Sequence, residues 1–335
     1  MIVGYVELSG ESPALARAEA IGAAEALGGG PAPPGTTTFS GLLPVLLPDR
    51  KAVLSLARRV ALARRCLTVV RAGEAAVAAA ALEGEGGPRA VFRRVGSSEG
   101  SSNASVRDAG RAYRAAGGAI DLEQPERRYW IATRADGGTA LLLEAAAVDR
   151  KEMARRAMPR LPFQRPISLP TRLARAAANL ARVNAGDRVV DPFLGTGALL
   201  AESGLLGARV YGIDRDPGMV RGALRNLSHL GVEASEIVEG DAGEVEFQSP
   251  DETFEALLTD PPYGRASATG GEEARSVWRR VVPRWAERVV PGGWVVVVVP
   301  PVFEPLGAPW REALAVPVRV HRSLTREFRV YRRSD

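Results

Sequence analysis

Two short stretches place carboxylates and glycines where chemistry needs them. The first, TDPPYG (259–264), leaves the apolar run FEALL through an aspartate and two consecutive prolines. Neither proline has the N–H that a strand ladder requires, so the stretch belongs to the end of a strand. The rigid turn offers Asp260 no N–H of its own. Asp260 and the carbonyl of Pro261 are therefore paired acceptors, suited to a donor with two hydrogens such as the exocyclic amine of a base. Pro262 restricts the next backbone angle, and Tyr263 adds a flat face on which a base stacks.

The second stretch is DPFLGTG (191–197). A glycine-rich turn after a first strand is where doubly wound sheets bind an adenosine-containing ligand, and Gly195 and Gly197 permit close backbone approach. A plain tight turn fits the same residues. Leu200 stands where a dinucleotide fingerprint has its third glycine, and no lysine follows, so phosphate is not the target. Asp214 ends the next strand and suits a ribose diol. It also fits a helix cap, although Asp216 is better placed for that role. Asp241 ends the third strand, either facing an adenine amino group or solvated in a loop. His229 and His321 are too few and too far apart for a metal site, and this chemistry needs no metal.

The elements that position these residues follow from periodicity. TRLARAAANLARV (171–183) reads as a helix and RVVDPF (188–193) as a short buried strand. RVYGID (209–214), SEIVEGD (235–241) and FEALLTD (254–260) are further strands. PGMVRGALRNLSHLG is a helix with proline at its start and glycine at its end. A helix is expected over 276–290, kinked at Pro283, followed by PGG as punctuation and the strand WVVVVVP (294–300). VPVRVHRSL and REFRVYRR close the chain as an antiparallel pair. Strands alternating with helices of this length predict an α/β fold, with a mostly parallel sheet and an antiparallel end hairpin.

The front half alternates differently. YVELSG, the helix PALARAEAIGAAEALGG, the strand TFSGLLPVLLP and the helix-like KAVLSLARRVALARRC suggest a small α+β unit. A second runs through EAAVAAAALEGEG, PRAVFRRVG, VRDAGRAYRAAGG, RRYWIAT and TALLLEAA, with GSSEGSSNAS (96–105) as an exposed loop. RRAMPRLPFQRPISLP (155–170), rich in proline and arginine, marks a linker.

Composition is that of an ordinary globular chain, 46% hydrophobic and 25% charged. No run of 18 apolar residues suggests a membrane span, and the opening residues do not resemble a secretory signal. The single cysteine, Cys66, excludes an internal disulfide and a cysteine-based zinc cluster, which points to a reducing, cytoplasmic compartment. Residues 1–165 hold 23 Lys+Arg against 17 Asp+Glu, and residues 166–335 hold 21 against 22. The positive excess in front suggests an acidic partner there, with nucleic acid first.

Residues 166–335 resemble the class I S-adenosylmethionine-dependent methyltransferases that modify exocyclic amines, with DPFLGTG as cofactor loop and DPPY as catalytic motif. The whole chain is similar to the archaeal tRNA guanine-10 N2-methyltransferases, in which a THUMP domain precedes the catalytic domain. RPISLPTRLARAAANLA, GIDRDPGMV, DPPYGR and HRSLTR carry that likeness, and GGAIDLEQPERRYWIAT resembles the THUMP pattern. Members often carry Cys-Gly-Thr-Gly in the loop. Leu194 replaces that cysteine here, a small change where backbone does the binding.

The resemblance implies a seven-stranded Rossmann-like methyltransferase sheet preceded by a smaller α+β region. The expected division is an N-terminal ferredoxin-like unit (1–50), a THUMP domain (51–150), a linker (151–169) and the methyltransferase domain (170–335). It further implies that Asp191, Pro192, Phe193, Gly195, Thr196, Gly197, Asp214, Asp241 and Ala242 hold S-adenosylmethionine. Asp260, Pro261, Pro262 and Tyr263 would hold a flipped-out guanine of tRNA, giving N2-methyl- or N2,N2-dimethylguanosine. A monomer without membrane or metal partners is expected. Arg322 and Arg326, flanking Ser323–Thr325, are candidates for a place near the site. The rival readings are another DPPY-type rRNA or DNA amine methyltransferase, and a noncatalytic RNA-binding protein with a retained methyltransferase fold.

Overall fold

The computed structural model describes residues 1–82, 88–95, 103–134, 136–166, 168–249, 252–262, 273–300, 303–321 and 324–335. The chain divides into two units, Met1–Asp149 and Arg150–Asp335. Among the described residues each unit carries one seven-stranded sheet.

The first unit begins with β1 (Ile2–Leu8), α1 (Pro13–Ala26), β2 (Gly30–Pro31), β3 (Leu42–Leu47) and α2 (Arg50–Arg59). It continues with β4 (Ala63–Ala72), α3 (Ala75–Ala80), β5 (Ala90–Arg94), α4 (Asn103–Ala115), β6 (Arg127–Thr133) and β7 (Thr139–Ala147). The strand order is β2-β3-β1-β4-β7-β6-β5, so strands from residues 2–47 and 63–147 share one sheet. Among the described strands of this sheet, only β5 and β6 pair in parallel. One correction concerns KAVLSLARRVALARRC. Its helix ends at Arg59, and Ala63–Cys66 already belong to β4, antiparallel to β1. The buried Glu19 carboxylate causes the break, accepting the N–H groups of Ala61 (2.6 Å) and Leu62 (2.8 Å) that a continued helix would use internally.

The second unit opens with α5 (Arg150–Arg155), a 3₁₀ turn (Met158–Arg160) and α6 (Thr171–Leu180). Then come β8 (Arg188–Asp191), α7 (Ala198–Gly204), β9 (Arg209–Asp214), α8 (Pro217–His229), β10 (Ala234–Glu239) and β11 (Phe254–Thr259). The chain closes with α9 (Ala274–Ala286), β12 (Val289–Val299), β13 (Trp310–His321) and β14 (Leu324–Arg333). The order is β10-β9-β8-β11-β12-β14-β13, parallel through β12 and antiparallel at the β12–β14–β13 end. This is the expected α/β sheet with its antiparallel end hairpin. Its core joins Tyr211, Phe247, Phe254 and Trp285 to the inward valines of β12.

Two boundaries differ from expectation. The helix over 276–290 ends at Ala286 with Pro283 inside it, and Val289 already pairs with Phe254. Pro291-Gly292-Gly293 does not precede the strand but lies within it, in the register shift between Phe254↔Val289 and Ala256↔Trp294. Glycine is required at 293, where a Cβ would meet the Glu255 and Val290 carbonyl oxygens at 2.8 Å.

The chain runs outward from β8 through β9 to β10, then returns to the other side of β8 as β11. That reversal opens a crevice at the carboxyl ends of β8 and β11, where sheets of this type bind ligands.

Candidate active site

Three aspartates stand at or just past the ends of the strands around this crevice, and each accepts hydrogen bonds there. Asp191 is 1% exposed. Its Oδ1 accepts the Phe193 N–H (2.9 Å) and the Thr259 hydroxyl (2.8 Å), which ties the end of β8 to the end of β11. Burial pushes its carboxyl up to about 7, and the nearby Asp260 and Asp214 carboxylates add to the rise. Asp191 therefore lies beneath the loop and braces it from below.

Asp214 locks the glycine-rich loop from the side. Its Oδ2 accepts the Gly195 N–H (2.8 Å) and its Oδ1 the Asp216 N–H (2.9 Å). Burial raises its pKa, and the two backbone bonds oppose that rise. Each oxygen keeps a further lone pair for a hydroxyl. Asp216 caps α8 by accepting the Gly218 N–H.

Within the loop, Phe193, Gly195 and Ala198 are partly exposed, whereas Pro192, Leu194, Thr196 and Gly197 are buried. Gly195 has φ +54 and Gly197 φ +81, the left-handed region that favours glycine. A Cβ on Gly195 would meet nothing nearer than the Phe193 carbonyl oxygen at 3.9 Å, so the loop is open above it. A Cβ on Gly197 would press on Ala223 of α8 at 3.2 Å. Thr196 turns inward, its hydroxyl donating to Ser168 Oγ (3.0 Å). An open, glycine-lined cradle beside an acceptor pair fits the ribose and backbone-facing parts of an adenosine ligand.

Asp241 follows β10, and sequence reasoning missed its partner. Arg280 of α9 donates to both oxygens, at 2.7 and 3.0 Å, and the Gly243 N–H adds a third bond at 2.7 Å. Arg280 is the main cause holding this carboxyl below the usual range. Any ligand amine at Asp241 shares it with that guanidinium. Ala242 is buried, its carbonyl accepting the Trp285 indole N–H (2.8 Å).

Asp260 sits just past β11. Its Oδ2 accepts from Arg326 Nη1 at 2.7 Å, a guanidinium that β14 carries to the crevice with 6% exposure. Pro261 is buried and Pro262 half-buried. Tyr263 and Arg322 lie outside the described residues. The structure thus brings Asp191, Asp214 and Asp260 together at one sheet end. Among the described residues no three His, Cys, Asp or Glu side chains are grouped for a metal ion.

Comparisons with known proteins agree with this architecture. Residues 159–303 match the UPF0020 family, described as an RMKL-like methyltransferase domain. A tRNA (guanine(10)-N2)-dimethyltransferase of Methanothermobacter thermautotrophicus is 37% identical over 64% of this chain and 63% of its own length. One from Pyrococcus abyssi is 40% identical over 53% of this chain and 54% of its own. The matched stretch is therefore less than two thirds of either relative. The crystal structure of TrmN from Thermus thermophilus superposes over 99% of both chains, with TM-score 0.55 and 20% identity, a likeness of fold.

Proposed function

We propose that the chain is an S-adenosylmethionine-dependent tRNA guanine-N2 methyltransferase. The observation that carries this reading is the Asp260–Arg326 pair at the end of β11, beside the glycine loop locked by Asp214. The relatives' printed activity, dimethylation at guanosine 10, supports tRNA as substrate and N2-methyl- then N2,N2-dimethylguanosine as products. A cytoplasmic monomer, with a THUMP domain in the first unit, completes the proposal.

Gly195, Gly197, Asp214, Asp241 and Ala242 would hold S-adenosylmethionine, with Asp191 bracing their loop. When bound, it supplies an electrophilic sulfonium methyl. The converging carboxylates suit that cationic centre. Arg326 fixes the Asp260 carboxylate through Oδ2, and that carboxylate with the Pro261 carbonyl would orient the guanine N2 amine. Both hydrogens of the amine are then engaged, and its lone pair is aimed at the methyl for in-line displacement. Positioning is the main lever of such a transfer. A carboxylate paired with a guanidinium is fixed in place and made less basic, so Asp260 orients the amine and the proton leaves to water after methyl transfer.

The test is to react the full chain with unmodified tRNA transcripts and labelled S-adenosylmethionine, then map the modified nucleotide. Methylguanosine at position 10 is expected. Transfer to rRNA or DNA in preference to tRNA, or failure to bind the cofactor, overturns the reading.

A further inference from the structure

The positive excess of residues 1–165 lies almost wholly at their end. With the unit boundary at Asp149, the first unit holds 17 Lys+Arg against 16 Asp+Glu, and residues 166–335 hold 21 against 22. The excess is concentrated in residues 150–165, six cations against the single acid Glu152. We infer that residues 150–166 form a basic strap, anchored beside the glycine-rich loop, that receives the phosphate backbone of the RNA substrate. This rests on the tRNA reading above.

A charge run on a free linker is ordinarily just solvated, but this one is fixed in place. Arg156 turns inward, Nε donating to Glu202 Oε1 at 2.7 Å, while Arg175 of α6 donates to Oε2 at 2.6 Å. Glu202, on α7, is 2% exposed. Met153 and Leu161 are buried. The Asn226 amide of α8 accepts the Phe163 N–H (3.0 Å) and donates to the Phe163 carbonyl (2.9 Å) and to the Thr196 carbonyl (3.0 Å). One side chain therefore joins the strap to the cofactor loop. Gly222 lets the two approach, since a Cβ there would meet the Phe163 ring at 2.2 Å.

With Met153, Arg156 and Leu161 turned inward, Arg150, Lys151, Arg155, Arg160 and Arg165 remain exposed. Arg165 lies over the Phe163 ring at 4.5 Å, and Arg155 beside Glu152 at 3.2 Å. The exposed cations are carried by a segment tied through Asn226 to the loop that borders the crevice, which would take the base. That arrangement suits a sugar–phosphate chain whose one flipped nucleotide enters the crevice. A lipid surface is the poorer match, because Met153 and Leu161 are buried in the protein.

The experiment compares two full-length variants with the wild type by titrating unmodified tRNA across a range of salt. One carries Lys151→Gln, Arg160→Gln and Arg165→Gln. The control carries Arg209→Gln, Arg311→Gln and Arg332→Gln, exposed cations at the opposite, amino-terminal end of the parallel strands. The strap variant should show a log Kd against log salt slope shallower by roughly 0.7–0.9 per lost contact, about two in all. The control should follow the wild type, and both should keep wild-type cofactor affinity. Equal loss in both variants, or none in the strap variant, overturns the strap while leaving the tRNA reading intact. Binding of the wild type to anionic vesicles, lost in the strap variant while its tRNA binding is unchanged, overturns it in favour of a lipid partner. A wild type that does not bind tRNA overturns both.

Discussion

The two units have sheets of equal strand number and use their acids in opposite ways. In the first unit Glu7 and Glu144 lie inside strands. Arg65 of β4 donates to Glu7 of β1 (2.5 Å) and Glu144 of β7 (3.0 Å), and Trp130 of β6 donates its indole N–H to the same Glu144 (2.9 Å). The guanidinium also lies over the Trp130 ring at 3.8 Å. In the second unit Asp191 and Asp214 end strands and Asp260 follows one, and their partners are loop N–H groups, a hydroxyl and one arginine. Strand number therefore says little about function. Connectivity decides it, because only the outward-and-return winding about β8 leaves strand ends uncrossed by a connection.

The contrast predicts that changing a strand-end acid harms chemistry, whereas changing the mid-strand cluster harms stability. The largest effect is expected at Asp260. Asp260→Ala should be nearly inactive in single-turnover tRNA methylation with cofactor affinity unchanged. Asp260→Asn should keep a reduced but measurable rate, since its one amide oxygen accepts from the amine only by giving up the bond from Arg326. A loss in Asn of the order of 10²–10⁴-fold would instead make Asp260 the general base.

Next comes Asp214→Ala, which should weaken S-adenosylmethionine binding by about 1–3 kcal/mol through lost ribose acceptors and a loosened Gly195 N–H. Calorimetry giving wild-type affinity in the folded variant would remove Asp214 from the cofactor site. Arg65→Met tests the other side of the comparison. It should cost about 1–2 kcal/mol of stability, less than a fully buried pair because the cluster is partly solvated, and leave cofactor affinity untouched. If denaturant titration shows no loss, the cluster does not stitch the sheet.

The smallest effect concerns pH. The folded chain raises Asp191 from 3.8 to about 7, so the protonated acid contributes stability that is complete below about pH 4 and lost as pH rises through about 7. Asp191→Asn keeps an acceptor for Phe193 and Thr259 and cannot ionise. Its melting temperature relative to wild type should therefore climb between about pH 5 and pH 8. A constant difference across that range would mean that Asp191 is already charged within the fold.

Much of the second unit was legible because its signals are local. RVYGID is β9 as read, and the glycine turn, the Asp216 cap and the closing hairpin all follow from spacing along a few residues. The first unit was harder. β4 was hidden in a sequence with helical spacing, and what ended α2 was Glu19, 42 residues away from Ala61.

By itself the sequence determined which strands build the second sheet, which turns need glycine or proline, and that acids stand at or just past the strand ends, because backbone preference and hydrophobic period act between near neighbours. Only the tertiary structure decided which charges meet. Arg326 reaches Asp260 across 66 residues and Arg280 reaches Asp241 across 39, distances that sheet order closes and no local pattern encodes. The same holds for the basic strap. Its composition was visible in the chain, but Glu202 and Asn226 fix its place beside the cofactor loop, and both are brought there by the packing of α7 and α8.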